Sequence, residues 1–355
     1  MENKIAALKS KNVYFSEEVS TLDAFIEKNN YSKVVVLGDT NTIELCLPYL
    51  NLFSTYTANA DIIEIDAGEG SKNIDICIGI WNMMLDYEMD RKSLLLNLGG
   101  GMVSDIGAFA ASTYMRGIDF INIPSTLLAM VDASHGGKNG IDVNDFKNMI
   151  GCFQPAKAVF IFPSLLNSLN EEEQLFGFAE IIKHGLIADE KHFENTVAYL
   201  LAADQSNLAE IIIDSILIKL NIVALDPLDK KERKILNYGH SIGHAIESYF
   251  LSIEKPIHHG LAVLTGIIIE NKVAVSQGLL AAATADSIES IIKNNFQLPK
   301  FSANAIPTIL EFLLRDKKNI EDQIHLSLIS KIGEGKIEQV CDIASVNTAI
   351  EQYLV

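Results

Sequence analysis

Cysteine is scarce in this 355-residue chain. Its four residues, Cys46, Cys77, Cys152 and Cys341, stand far apart and form no C-x-x-C pair. That spacing argues against a disulfide framework and a cysteine zinc site, and it predicts reduced thiols in a cytoplasmic setting. Positive charge is also in short supply. With 28 Lys and Arg against 46 Asp and Glu the formal net charge is −18 and the pI is near 4.8. Nucleic acid and an anionic membrane surface are therefore poor partners. The most apolar stretch, near residues 261–270, is too short and too interrupted to cross a bilayer. The N-terminal MENKIAALKSKNVYF lacks the apolar core of a secretory signal. Internal repeats and low-complexity segments are absent from the sequence.

What is present is the composition of a well-packed enzyme, 48% hydrophobic and 21% charged, long enough for two domains. The first half alternates strand and helix signals. Lys33–Gly38, Ile62–Ile65, Leu94–Leu98, Phe120–Ile123 and Val159–Phe162 read as strands, with Asp39, Thr40 and Asn41 as caps for a following helix. This alternation predicts a parallel sheet covered on both faces. From about Pro163 long helical patterns take over: Glu171–Ala188, His192–Ala203, Leu208–Ala224, Arg233–Phe250 and Gly260–Gln277. The expected domains are 1–163 and 164–355, with an edge hairpin near Ile324–Leu328.

Three constellations carry chemistry. Leu94–Leu98 runs into Gly99-Gly100-Gly101 and then a small-residue helix, a junction that suits a pyrophosphate at a helix N-terminus. The stretch from Arg116 to Gly151 gathers Arg116, Asp132, Lys138, Lys147 and Asn148 in a glycine-rich loop, a local basic concentration fit for phosphate or carboxylate. In RKILNYGHSIGHAIE, the residues Arg233, Asn237, His240, His244 and Glu247 fall within an arc of about 80° if the segment is one helix at ~100° per residue. The other positions are mostly apolar, so the stripe must face a cavity, a metal or a ligand. From spacing alone both His240 and His244 are metal ligands; His258-His259-Gly260 follows at a helix entrance, and Glu180 sits inside the helical run FGFAEIIKHG. Lys183 follows Glu180 by one turn, the spacing of an ordinary surface ion pair. His184, His192 and His258 are taken as exposed or structural, and Trp81 as a packing residue.

With these residues in place, the chain resembles the 3-dehydroquinate synthase family of sugar phosphate cyclases. The matching blocks are LNLGGGMVSDIGAFAASTYMRGIDFINIPSTLLAMVDASHGGKNGI, KNMIGCFQPAKAVF, GFAEIIKHGLI, RKILNYGHSIGHAIE and HHG, in order over most of residues 96 to 260. The resemblance implies an α/β N-terminal Rossmann-like domain binding NAD and a mostly α-helical C-terminal domain holding Zn2+ or Co2+. It implies Glu180, His240 and His259 as metal ligands, and it turns His244 into an acid/base and phosphate-side residue. NAD contacts would be Asp39, Asn41, Glu69, Lys72, Gly100, Gly101, Asp105, Ser125, Thr126, Lys147 and Ser168. Substrate contacts would be Asp132, Lys138, Asn148, Lys183, Lys219, Asp229, Arg233 and Asn237, with Lys317 or Lys318. Arg116 would reach a neighbouring subunit's site, which implies a homodimer.

The implied substrate is 3-deoxy-D-arabino-heptulosonate 7-phosphate, oxidised transiently by NAD, stripped of phosphate and closed to a carbocycle. Where members usually carry threonine, a small apolar residue, threonine, glutamate and glutamate, this chain has Ser125, His135, Asn139, Asp229 and Leu261. Ser168-Leu169-Asn170 stands in place of the common Thr-Leu-Pro. The rival readings are a metal-dependent NAD polyol dehydrogenase of the glycerol type, another sugar phosphate cyclase, and a silent binding protein of the same fold.

Overall fold

The computed structural model describes residues 1–143, 146–202, 206–314 and 324–354. By internal contacts the chain divides into two compact units, Met1–Gln174 and Leu175–Val355. The division falls later than Pro163. Ser164 Oγ donates to Glu17 at 2.6 Å and Gln174 Nε2 donates to the Leu166 carbonyl at 3.0 Å, so this connecting segment belongs to the first unit. No helix among the described residues is long and apolar enough to cross a membrane.

The first unit is built on a six-stranded sheet. Its strands are β1 (Val13–Phe15), β2 (Val34–Asp39), β3 (Asp61–Ile65), β4 (Leu94–Gly99) and β5 (Asp119–Pro124). An antiparallel pair, β6 (Lys138–Val143) and β7 (Phe146–Phe153), precedes the last sheet strand, β8 (Ala158–Ile161). The sheet order is β1-β8-β5-β4-β2-β3, and every pairing in it is parallel. All six residues of β4 are buried, as expected of a central parallel strand covered on both faces. Helices Ile74–Asp86 and Gly101–Thr113 contribute Ile80, Met84, Val103, Ile106 and Phe109 to one core with Val35, Leu37 and Leu95 from the sheet. Trp81 packs against that core and donates from Nε1 to the Ala110 carbonyl at 3.1 Å.

The five strands read from the sequence are all present, whereas β1 is too short to leave a pattern. The glycine-rich stretch after Arg116 is not a plain loop. It forms a π-helical turn at Ala129–Ala133 and then the β6–β7 ladder, with Lys138 opposite Phe153 and Gly140 opposite Gly151.

The second unit is mainly helical. Helices Glu171–Ala188, Glu190–Leu201, Leu208–Leu225, His240–Ser252, His259–Ser276, Ala282–Asn295, Ile306–Leu314 and Ile343–Tyr353 surround a core that includes Ile181, Ile212, Ile216, Ile246, Leu264, Ile268 and Ile309. The expected hairpin is an antiparallel pair, β9 (Ile324–Lys331) with β10 (Glu334–Cys341).

One expectation is corrected here. The segment from Arg233 to Glu247 is not a single helix. A 3-10 helix, Glu232–Asn237, stops at Tyr238, and the α-helix begins at His240 after Gly239 in a left-handed conformation, φ 78°. Glycine is required there twice over. Any side chain would strain that φ, and a Cβ would lie 2.6 Å from Ile267 Cγ1 and 2.9 Å from the Val263 carbonyl oxygen. Only His240, His244 and Glu247 therefore share one helical face, while Arg233 and Asn237 belong to the preceding segment.

Candidate functional site

In the first unit the chemistry gathers around Lys72. This side chain is 4% exposed, and its Nζ donates to Asp105 Oδ2 at 2.6 Å and to Asn148 Oδ1 at 2.7 Å. Glu69 Oε1 stands 3.8 Å from both Lys72 Nζ and Lys147 Nζ. Burial alone would lower the Lys72 pKa, but Asp105, Glu69 and Asp142 overcome it and hold the amine above the ordinary lysine range. Asn148 takes a left-handed φ of 53°, and its N–H donates to Asp142 Oδ1 at 2.6 Å. Residues expected at the nucleotide (Glu69, Lys72, Asp105, Lys147) are thus brought together with one expected at the substrate (Asn148).

The strand ends supply the rest. Asp39 closes β2 and caps the next helix through a capping box with Thr42, its Oδ1 accepting the Thr42 N–H at 2.9 Å; Asn41 beside it is exposed. Gly100 is the N-cap of the helix Gly101–Thr113, which carries Asp105 as its fifth residue. At the end of β5, the Ser125 N–H donates to the Gly99 carbonyl at 3.0 Å, and Thr126 Oγ1 accepts the Ala129 N–H at 3.2 Å. Ser125 Oγ is buried and meets no hydrogen-bond partner among the described residues. A buried hydroxyl left over beside a glycine junction fits a polar ligand such as a dinucleotide.

Ser168 Oγ is engaged by Cys46 Sγ at 3.3 Å and donates to the Leu165 carbonyl at 2.7 Å. Asp132 lies on the π-helical turn, and Lys138, exposed, opens β6. Arg116 has a left-handed φ of 70° and lines a cavity of about 500 Å³ with Arg91, Lys92, Asp119 and Gln154.

In the second unit three imidazoles form a triangle. Ring centroids are 5.3 Å apart for His240–His244, 5.4 Å for His240–His259 and 5.6 Å for His244–His259. One ligand nitrogen from each lies within 4.8 Å of the others. Glu180, from helix Glu171–Ala188, joins them: its Oε1 is 3.3 Å from His240 Nε2. Two donors bound to one tetrahedral zinc at ~2.0–2.1 Å stand about 3.3 Å apart, so this pair already has ligand spacing. His259 Nδ1 meets Glu247 Oε2 at 3.3 Å, and His240 Nδ1 meets the Tyr238 carbonyl at 3.1 Å. Burial pushes the His240 pKa down, aided by Lys183 and opposed by Glu180, which favours the neutral imidazole that metal binding needs. A carboxylate with neutral imidazoles is a donor set that fits Zn2+ or Co2+.

Lys183 departs from the sequence expectation. It forms an ion pair with Glu180 in which both side chains are only 1% exposed, and Nζ also donates to the Leu236 carbonyl at 3.0 Å. Lys219 and Arg233 are buried as well, and Arg233 Nη1 donates to the Pro227 carbonyl at 2.9 Å. Asp229 has a left-handed φ of 56°, while Asn237 ends the 3-10 segment, half-buried. Lys317 and Lys318 lie outside the described residues. His184 is fully buried, its Nδ1 2.7 Å from Ser215 Oγ, and His192 is also buried; His258 is exposed and stacks on Phe176. The sequence reading missed Glu270. Its signal was present: a lone carboxylate in the apolar run LTGIIIENKV needs a buried partner.

The parallel sheet of the first unit and the histidine-bearing helices of the second define a class by fold alone, one that takes in a synthase and a dehydrogenase of known structure. The chain is similar in structure to a 2-deoxy-scyllo-inosose synthase solved with carbaglucose-6-phosphate, NAD+ and Co2+ (TM-score 0.85, 22% identity, 96% of each chain covered). A probable glycerol dehydrogenase from Sinorhizobium meliloti is more distant, with a TM-score of 0.63 and 14% identity over 97% of this chain and 96% of its own. Within the class, the 3-dehydroquinate synthase N-terminal family matches residues 62–175 and the 3-dehydroquinate synthase C-terminal family residues 177–319. The 3-dehydroquinate synthase of Parabacteroides distasonis is 36% identical over 94% of this chain and 95% of its own length. That of Thermoanaerobacter pseudethanolicus is 36% identical over 94% of each. The chain belongs to the 3-dehydroquinate synthase family.

Proposed function

We propose that this protein converts 3-deoxy-D-arabino-heptulosonate 7-phosphate to 3-dehydroquinate and phosphate, using NAD as a recycled catalyst and one divalent cation. The observation that carries the reading is the convergence of a buried carboxylate, Glu180, with His240, His244 and His259. Family membership selects the cyclase over the polyol dehydrogenase.

Glu180, His240 and His259 would hold the cation, which when bound acidifies substrate hydroxyls and polarises the carbonyl formed by oxidation. NAD supplies a reversible hydride acceptor, so it is returned unchanged each cycle. Lys72, Asp105, Glu69 and Lys147 hold the nucleotide, with Gly100, Gly101, Asp39, Asn41, Ser125, Thr126 and Ser168 completing its contacts. His244, whose ring stands beside His240 and His259, serves as the proton donor and acceptor on the phosphate side. Lys138, Asn148 and Asn237 bind the phosphate, with Arg116 delivered from a second copy of the chain. Lys219 and Arg233 hold the carboxylate, and a guanidinium fixes its orientation as well as its charge. Asp132, Lys183 and Asp229 position the sugar hydroxyls. The protein acts as a cytoplasmic homodimer, a setting consistent with four free thiols.

The test is to incubate purified protein with the heptulosonate phosphate, catalytic NAD and Zn2+, and to measure phosphate release and product identity. Stoichiometric phosphate with no build-up of NADH is expected. NADH accumulating on a simple polyol, without phosphate release, would favour the dehydrogenase reading.

A further inference from the structure

Glu270 and Asn271 interrupt an apolar run on helix His259–Ser276, and both are buried at 1% exposure or less. Both reach the start of the neighbouring helix His240–Ser252. Glu270 Oε2 accepts the Gly239 N–H at 2.6 Å, and Oε1 accepts the Ile242 N–H at 3.4 Å. Asn271 Oδ1 accepts the Tyr238 hydroxyl at 2.6 Å. Gly239 and Ile242 occupy the N-cap and N3 positions of that helix, the two amides that a capping box satisfies from within its own chain segment. Here one carboxylate from another helix takes both.

The reason lies in Gly239. Serine, threonine or aspartate is the usual cap, but position 239 has φ 78° and lies against Ile267 and Val263, so it carries no side chain. The helix therefore cannot cap itself, and its positive N-terminal end calls for an external acceptor. Burying a carboxylate for this purpose is costly, and a helix that merely needed to exist would not require it. His240 sits between the two amides that Glu270 holds. Its Nδ1–H, assigned from the bond to the Tyr238 carbonyl, leaves the Nε2 lone pair facing Glu180.

We propose that Glu270, seconded by Asn271, is the positioning residue of the metal site: it clamps the backbone on both sides of His240 and so aims Nε2 at the ion. The inference rests on the metal reading above.

Its test is Co2+ titration of the metal-free protein, followed by the visible ligand-field absorption, for wild type, Glu270→Ala, Glu270→Gln and His240→Ala. Asp342→Ala is the control. Asp342 caps helix Ile343–Tyr353 by accepting the Ser345 N–H at 2.8 Å, an ordinary cap on a different helix. Glu270→Ala is expected to weaken Co2+ binding at least about tenfold and to alter the band, the size typical of losing a group that orients a metal ligand. Asp342→Ala is expected to lower the melting temperature of the metal-free protein with binding and band unchanged. Glu270→Gln keeps the side chain's shape with one acceptor fewer, so it carries the test if the alanine variant does not fold. Wild-type binding and spectrum in the Glu270 variants, alongside lost binding in His240→Ala, overturns the positioning role alone. Equal Co2+ binding by wild type and His240→Ala overturns the metal reading, and the inference with it.

Discussion

The carboxylate of Glu180 and the ammonium of Lys183 form an ion pair one helical turn apart, with each side chain 1% exposed. At that depth the pair is not a surface ornament. Removing one partner leaves an uncompensated buried charge, which costs roughly 3–5 kcal/mol. Lys183→Met should lower the stability of the metal-free protein by about that amount. A cation taken up at Glu180 should restore more stability in the variant than in wild type, because binding to the native state alone adds stability by mass action. Melting curves with and without Zn2+ decide it. A metal-free variant that melts with wild type would show that the pair does not hold this helix.

The His240 and His244 rings stand 5.4 and 5.6 Å from that of His259 in the histidine triangle, yet different work is expected of them. His240 Nε2 stands 3.3 Å from the Glu180 carboxylate, at ligand spacing. His240→Ala should lose bound metal after dialysis. His244→Ala should retain it and lose turnover by about 10²–10⁴-fold, the usual worth of a general acid or base. Metal content by atomic absorption and phosphate release by colorimetry separate the two. Equal loss of metal from both would make His244 a ligand.

Gly239→Ala and Gly266→Ala should each destabilise the second unit by more than about 2 kcal/mol, beyond the ~1–2 kcal/mol that a left-handed alanine costs or adding a backbone collision. A Cβ at 266 would stand 2.0 Å from the Gly239 carbonyl oxygen and 2.8 Å from the Gly243 nitrogen, so helices His240–Ser252 and His259–Ser276 would have to part. Denaturant midpoints measure the loss, and Co2+ affinity should fall with it. Wild-type midpoints would refute the close packing.

Lys72 gives a pH expectation with a definite sign. Burial pulls its pKa down, but Asp105 and Glu69 outweigh it, and the folded-state value lies above the unfolded one. Its contribution is then fully present below the ordinary lysine pKa of ~10.4 and fades only as pH climbs through the higher folded value. NAD affinity should stay level from pH 6 to 9 in calorimetric titrations, as far as this residue controls it. Lys72→Met should weaken NAD binding by about tenfold or more, the loss of one to two charge-assisted hydrogen bonds. Affinity that falls between pH 7 and 9 would assign control to another group.

Much of the fold was legible because its signals are local. Helix Glu171–Ala188 matches the sequence reading at both ends, and the β-branched and leucine-rich runs mark β2, β4 and β5 to within a residue or two. Asp39 caps its helix as its residue type suggests. The misreadings share one cause. A polar stripe at 3.6-residue spacing cannot reveal that Gly239 turns left-handed, because that conformation is imposed by Ile267 and Val263 on another helix. The Glu180–Lys183 spacing is the same on a surface or in a core, and only the neighbouring helices decide which.

The sequence by itself determined which reactive groups exist, which lie on strands or helices, and that the chain carries family motifs in family order. The tertiary structure decided which of those groups meet. Glu180, His240 and His259 come from three helices, and Lys72, Asp105 and Asn148 from a turn, a helix and a strand. Periodicity carries information across a few residues, whereas a distance of 3.3 Å between groups far apart in the chain is set only by how cores pack.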